Sequence, residues 1–224
     1  MHELASWRER LRALAASIAD DDGAHDASHL DRVWRNAQAI MAGENSADAP
    51  GADAPGADAL AVLAACYLHD LVNVPKNDPR RAQASRLSAE LARAELQRLG
   101  FPAAKLDTVA HAIEAHSFSA AIPATTLEAK IVQDADRLDG LGAVGLARMF
   151  YIAGRMGSGL AHGADPLGME RALDDRAYAL DHIPVKLARL PGMMQTGAGR
   201  RLAEQRLALL EDFRSVFAAE WAGA

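Results

Sequence analysis

Apolar residues recur at helical spacing along almost all of this chain. Leu4, Trp7, Leu11, Leu14 and Ile18 fall on one face of a first amphipathic helix, from about Glu3 to Ala19. After the turn "DDDGAHDAS", a second helix carries "HLDRVWRNAQAIM" and stops near Gly43. A third is expected from about Asp58 to Val72, apolar on nearly every side until His69 and Asp70 interrupt it. Pro75 and Pro79 break the helical pattern beyond Val72. A fourth helix covers "RAQASRLSAELARAELQRLG", with Gly100 as its stop, and a fifth starts at Pro102 and includes "VAHAIEAHS". "TLEAKIVQDADRLDGLG" and "LGAVGLARMFYIAGRMG" read as the sixth and seventh. The glycine-rich loop "GSGLAHGADPLGM" precedes two last helices, one with "DHIPVKLARL" and one from about Thr196 to Trp221. Nowhere do β-branched residues alternate as they do in a strand, so the pattern predicts an all-α helical bundle.

Composition changes this picture in few places. In "GENSADAPGADAPGADA" the unit GADAP occurs twice, and its small, polar and proline residues cannot bury a core. The chain of 224 residues therefore reads as one domain, 1–224, with a low-complexity loop at 44–58 and C-terminal helices, 176–224, packing on the bundle. A net charge of −6 argues against a nucleic-acid polymer as partner, though local basic groups could still hold a phosphate. No apolar run approaches the roughly 20 residues of a membrane span, and the N-terminus lacks a signal peptide's apolar block. The expected location is the cytoplasm. Cys66, the one cysteine, allows no intrachain disulfide and reads as a buried, inert thiol. Composition is silent on oligomeric state and leaves a homodimer open.

The polar pair inside the third helix carries the chemistry. Charged groups at such depth are costly unless paired or bound to a cation. His29 and Asp136 stand in similar apolar helical surroundings on two other helices. A divalent ion could accept all four, using imidazoles and carboxylates as ligands inside a bundle. Neighbours on a helix diverge by about 100°, so His69 and Asp70 share an ion only if it lies between their directions.

The ordered set His29, His69-Asp70 and Asp136 resembles the metal signature of the HD-domain phosphohydrolase superfamily. The flanks "HDASHLDRVWRNA", "LHDLVNVPKNDPRRAQAS", "AHSFS", "EAKIVQDADRLDGLGAVGLAR" and "DHIPVKLARLPGMMQTGAGRRLAEQR" resemble a bacterial subgroup of small HD hydrolases over nearly the whole chain. The resemblance implies a helical bundle binding one or two divalent ions (Mn²⁺, Mg²⁺, Ni²⁺, Co²⁺ or Fe²⁺). It implies His29, His69, Asp70 and Asp136 as ligands, and hydrolysis of a phosphorylated small molecule, a nucleotide above all. Many nucleotidase members carry a glutamate three residues after the HD aspartate; here that position is Asn73, so that acid/base does not transfer. Dinuclear relatives use two further histidines, and His111 and His116 stand about 140° apart on a helix, a poor geometry for sharing a second ion.

Other residues are weighed against plainer roles. His25 stands four before His29 and could chelate with it, although support of the site is the simpler role. Arg32 could hold a phosphate bidentately or pair with a carboxylate. Lys76 is the choice for a phosphate contact on the loop after the metal helix, with Arg80 and Arg81 solvated. His116 is assigned to substrate and catalysis, and Lys186 to substrate, its default being a solvated lysine. Asp70 and Asp139 complete the catalytic set, Asp139 sharing a helical side with Asp136. Asp134 turns away from Asp136 by about 200° and reads as a surface or cap residue. Two rival readings remain: a module that binds metal and nucleotide without turnover, and an HD-type di-iron oxygenase, which would need both extra histidines on metal.

Overall fold

The computed structural model describes residues 2–18, 27–45, 56–72, 74 and 78–223. His25, the GADAP repeats, Asn73 and Lys76 lie outside the described residues. The described residues are mainly helical, with no strand beyond an isolated bridge between Gly159 and Tyr178. The all-α expectation holds. The helices are α1 (His2–Ile18), α2 (Ala27–Glu44), α3 (Ala59–Leu68), α4 (Ala84–Arg98), α5 (Leu106–His116), α6 (Leu127–Leu138), α7 (Gly142–Met156), α8 (His182–Val185) and α9 (Gly197–Trp221). The chain divides into two compact units: Met1–Asp136 with Gln195–Ala198, and Arg137–Met194 with Gly199–Ala224.

In the first unit α3 is the central element, packed against α1, α2, α4 and α5. It is buried from Ala61 to Leu68, as a helix apolar on all sides must be. Asp58 starts it: its Oδ1 accepts from the N–H groups of Leu60 at 3.0 Å and Ala61 at 3.1 Å, and Lys105 pairs with its Oδ2. Such a cap satisfies donors that the first helical turn leaves unpaired. The helix stops at Leu68 rather than Val72, and His69 and Asp70 form the turn beyond it. Trp7 of α1 meets Phe101 edge-on at 5.0 Å. Cys66 is buried as expected, and burial pushes its thiol pKa up.

In the second unit Phe150 of α7 meets Phe213 and Phe217 of α9 at 5.8 and 6.3 Å. The turn before α7 depends on Gly145, where a Cβ would stand 2.2 Å from the Gly140 carbonyl oxygen. The helix expected at "DHIPVKLARL" is broken into α8 and two short 3₁₀ turns, Leu187–Arg189 and Pro191–Met193. Lys186 leaves helical geometry at φ −127°, ψ −54°, and Pro191 starts the last turn without an N–H to donate.

Candidate metal centre

His29 comes from the first turns of α2, His69 and Asp70 from the end of α3, His116 from the last residue of α5, and Asp136 from α6. All belong to the first unit. The rings are buried, His69 completely, whereas the carboxylates of Asp70 and Asp136 remain about a third exposed. The carboxylates therefore mark the side that solvent can reach.

Two overlapping donor groups result, each with its ligand atoms within 4.8 Å of one another: His29, His69 and Asp136, and His69, Asp70 and His116. Nε2 of His29 stands 3.4 Å from Nε2 of His69 and 3.6 Å from Asp136 Oδ1. Nε2 of His69 is 3.8 Å from that same oxygen and 3.5 Å from Asp70 Oδ2. Asp70 turns its other oxygen, Oδ1, to Nε2 of His116 at 3.5 Å. These separations are long for direct hydrogen bonds. They suit ligands of one ion: donors about 2.1 Å from a metal lie roughly 3.0 Å apart at a right angle and roughly 3.4 Å apart at a tetrahedral one.

The other ring nitrogens of His69 and His116 are already engaged. His69 Nδ1 meets the Cys66 carbonyl at 2.9 Å, and His116 Nδ1 meets the Ile113 carbonyl at 2.6 Å. A carbonyl oxygen only accepts, so each Nδ1 carries the proton and leaves Nε2 directed at the carboxylates. Burial pushes the His69 pKa down, against the opposing pull of Asp70, which favours the neutral ring a metal needs. Burial also works against a charged His116, yet the attraction of Asp70, with Asp136 and the Ile113 carbonyl, outweighs it and raises the pKa. The donor types, their spacing and their tautomers fit a divalent ion.

The family model for the HD domain matches residues 26–141, more than half of the chain and the segment that contains every one of these donors. The chain belongs to the HD-domain family. That family is one of metal-dependent hydrolases. The chain is 37% identical over 203 residues to the uncharacterized protein YpgQ of Bacillus subtilis, across 88% of this chain and 85% of the relative. The crystal structure of Bacillus subtilis YpgQ in complex with ADP matches with a TM-score of 0.73 at 31% identity, over 97% of this chain and 96% of that one. An HD-superfamily hydrolase from Bacillus thuringiensis matches with a TM-score of 0.73 at 26% identity, over 99% and 100%.

The remaining residues of this HD-domain chain have more local partners. Arg32 Nη1 donates to Ser28 Oγ at 2.8 Å, one turn back on α2. Asp139 is buried in the second unit with Arg148 on its carboxylate, and it joins neither donor group. Lys186 is an exposed residue of the second unit. His111 Nε2 accepts from the Thr125 N–H at 3.1 Å and lies 2.9 Å from the Thr125 hydroxyl. Asp134 is buried and accepts from the N–H groups of Gln195 and Thr196 and from the Thr196 hydroxyl, at 2.7 to 3.0 Å. It is fully buried rather than on the surface, and it holds the two residues that precede α9.

The helices that carry the donors are also tied together. Asp31, two residues after His29, accepts from the Tyr67 hydroxyl at 2.5 Å, and Arg8 donates to both, at 2.9 Å each. Asn36 donates to the carbonyl of Ala135, next to Asp136, at 3.0 Å, and Gln133 to the carbonyl of Ala115, next to His116, at 2.7 Å. Sequence reading passed over these ties. Their one local signal is an amide or acid on an otherwise apolar helical face.

Proposed function

We propose that the chain is a metal-dependent phosphohydrolase acting on a nucleotide or a related phosphorylated small molecule, in a cytoplasmic setting. The observation that carries the reading is the convergence of His29, His69, Asp70 and Asp136 from α2, α3 and α6, with buried imidazoles behind partly exposed carboxylates. Those four would hold the ion. When bound, it polarises a phosphoryl oxygen and makes hydroxide available from water near neutral pH.

The protein's own part is orientation and proton handling. The Cys66 carbonyl fixes the His69 ring, and Asp70 stands between His69 and His116 with one oxygen toward each. A proton released near Asp70 can pass from Oδ1 to Nε2 of His116 and from there to the leaving oxygen. Arg32 and Lys76 supply positive charge to the substrate's phosphate in this reading. The engagement of His111 with Thr125 speaks against the di-iron oxygenase. That a YpgQ structure holds ADP supports a nucleotide as the ligand class.

The test is release of phosphate or pyrophosphate from a panel of nucleotides with Mn²⁺, Mg²⁺, Co²⁺ or Ni²⁺. Release that depends on metal and is abolished by a chelator is the expected result. Nucleotide binding with no release under any of the four metals would replace the enzyme by a binding module.

A further inference from the structure

α5 ends at His116, after which Ser117 turns extended at φ −75°, ψ 127°. The last carbonyls of a helix have no partner within it, and a buried one must be met from outside. Ala115 is fully buried, and its carbonyl accepts from Gln133 Nε2 at 2.7 Å. Gln133 stands on α6 three residues before Asp136, on the same helical side. One amide thus ties the residue before His116 to the helix that carries Asp136. Its orientation is settled by chemistry, because a carbonyl oxygen can meet only the NH₂ end.

Gln133 is also an expensive choice for its position. It is 6% exposed, and its Oε1 is buried with no hydrogen-bond partner among the described residues. An apolar side chain of similar volume would avoid that unmet acceptor. What the amide supplies in return is its NH₂ donor. His116 Nδ1 holds the ring against its own helix through Ile113, and Nε2 then faces Asp70 Oδ1. The Ile113 bond sets the ring relative to α5, and the Gln133 bond sets the end of α5 relative to α6.

We propose that Gln133 is a positioning residue of the metal centre: it caps α5 at Ala115 and so seats the His116 ring against Asp70. The consequence for turnover rests on the hydrolytic reading above; the consequence for the His116 ring does not. Gln133→Leu and Gln133→Met both fill the site and remove the donor, and either one serves if the other does not fold. In ¹⁵N imidazole spectra of metal-free protein, taken at a pH where the ring is neutral, wild-type His116 should show a single Nδ1–H form. Either variant should shift or broaden the His116 signals, and to a lesser extent those of His69, whose ring meets His116 edge-on at 4.8 Å. Unaltered His116 signals in a folded variant would overturn the proposal. In turnover, the variants should lose about tenfold in kcat with KM held, and His116→Ala combined with Gln133→Leu should be no worse than His116→Ala alone. Independent, multiplying losses would overturn the proposal as well. If the wild type releases no phosphate or pyrophosphate with any metal, the hydrolytic reading falls, and the imidazole spectra still decide the role of Gln133.

Discussion

Asp181 in the second unit and Asp70 in the first are both set among polar side chains, in different company. Asp181 is 1% exposed and receives Arg171 Nη1 and Nη2 at 2.6 and 2.7 Å and the N–H of Asp174 at 2.8 Å. Asp70 faces the ring nitrogens of His69 and His116, each at 3.5 Å, on the side of the cluster that solvent can reach. The first arrangement is a finished ion pair at hydrogen-bonding distance, which fastens the loop before α8. The second is a set of ligand-type atoms spaced for something to sit between them. A buried acid is therefore not in itself a sign of function. What distinguishes the two is the company: a guanidinium and a backbone N–H at hydrogen-bonding distance for Asp181, imidazole nitrogens at 3.5 Å for Asp70.

The largest effect should come from breaking the finished pair. Arg171→Ala leaves Asp181 buried without its guanidinium and should lower the denaturant midpoint more than any substitution named below, with metal binding retained. The pH dependence has a definite sign. Burial alone would raise the Asp181 pKa, but the Arg171 hydrogen bonds, the Asp174 N–H and the arginine charges hold it below its ordinary value of 3.8. Its contribution is thus complete above that value and is lost as pH falls through the lower folded-state pKa. Acid unfolding of Asp181→Asn, compared with wild type, should show that part of the pH dependence removed.

Asp139→Asn sharpens the contrast, because the sequence places Asp139 beside Asp136 whereas its carboxylate lies on Arg148. It should cost roughly 2 kcal/mol and leave metal content near wild type. Tyr67→Phe should cost about 1 kcal/mol, since it removes a hydroxyl shared between Arg8 and Asp31. Asp31 tests whether company matters more than unit: it belongs to the first unit yet has arginine partners, Arg8 at 2.9 Å and Arg12 at 3.2 Å. Asp31→Asn should therefore lower stability without altering metal content. Arg98→Ala, which breaks an exposed i,i+3 pair with Glu95, should shift stability by less than about 0.5 kcal/mol.

The helices, and the four polar residues that the fold brings together, were legible because their signals are local. Helical periodicity shows the elements directly, and His69-Asp70 is conspicuous inside the apolar run of α3. The ends were less legible. α3 stops four residues early, and α5 begins at Leu106, after a 3₁₀ turn, rather than at Pro102. The partners of long-range polar groups were not legible at all. Nothing near Asp139 in helical register singles out Arg148, and nothing near Asp134 points to Gln195 and Thr196, 61 and 62 residues away. Gln133 is the instructive case: its sequence neighbours suggest packing, and only the fold brings it to the carbonyl beside His116.

The most direct test of the central claim is the melting temperature of metal-free protein with and without Mn²⁺, for wild type, Asp70→Asn, Asp136→Asn and Arg171→Ala. An ion that binds only the folded state stabilises it by about 2.7 kcal/mol at a hundredfold excess over Kd. Wild type and Arg171→Ala should both rise with Mn²⁺, from different starting temperatures, whereas Asp70→Asn and Asp136→Asn should show little or no rise. A wild type indifferent to Mn²⁺, or Asp70→Asn and Asp136→Asn that rise as far as it does, would contradict the account.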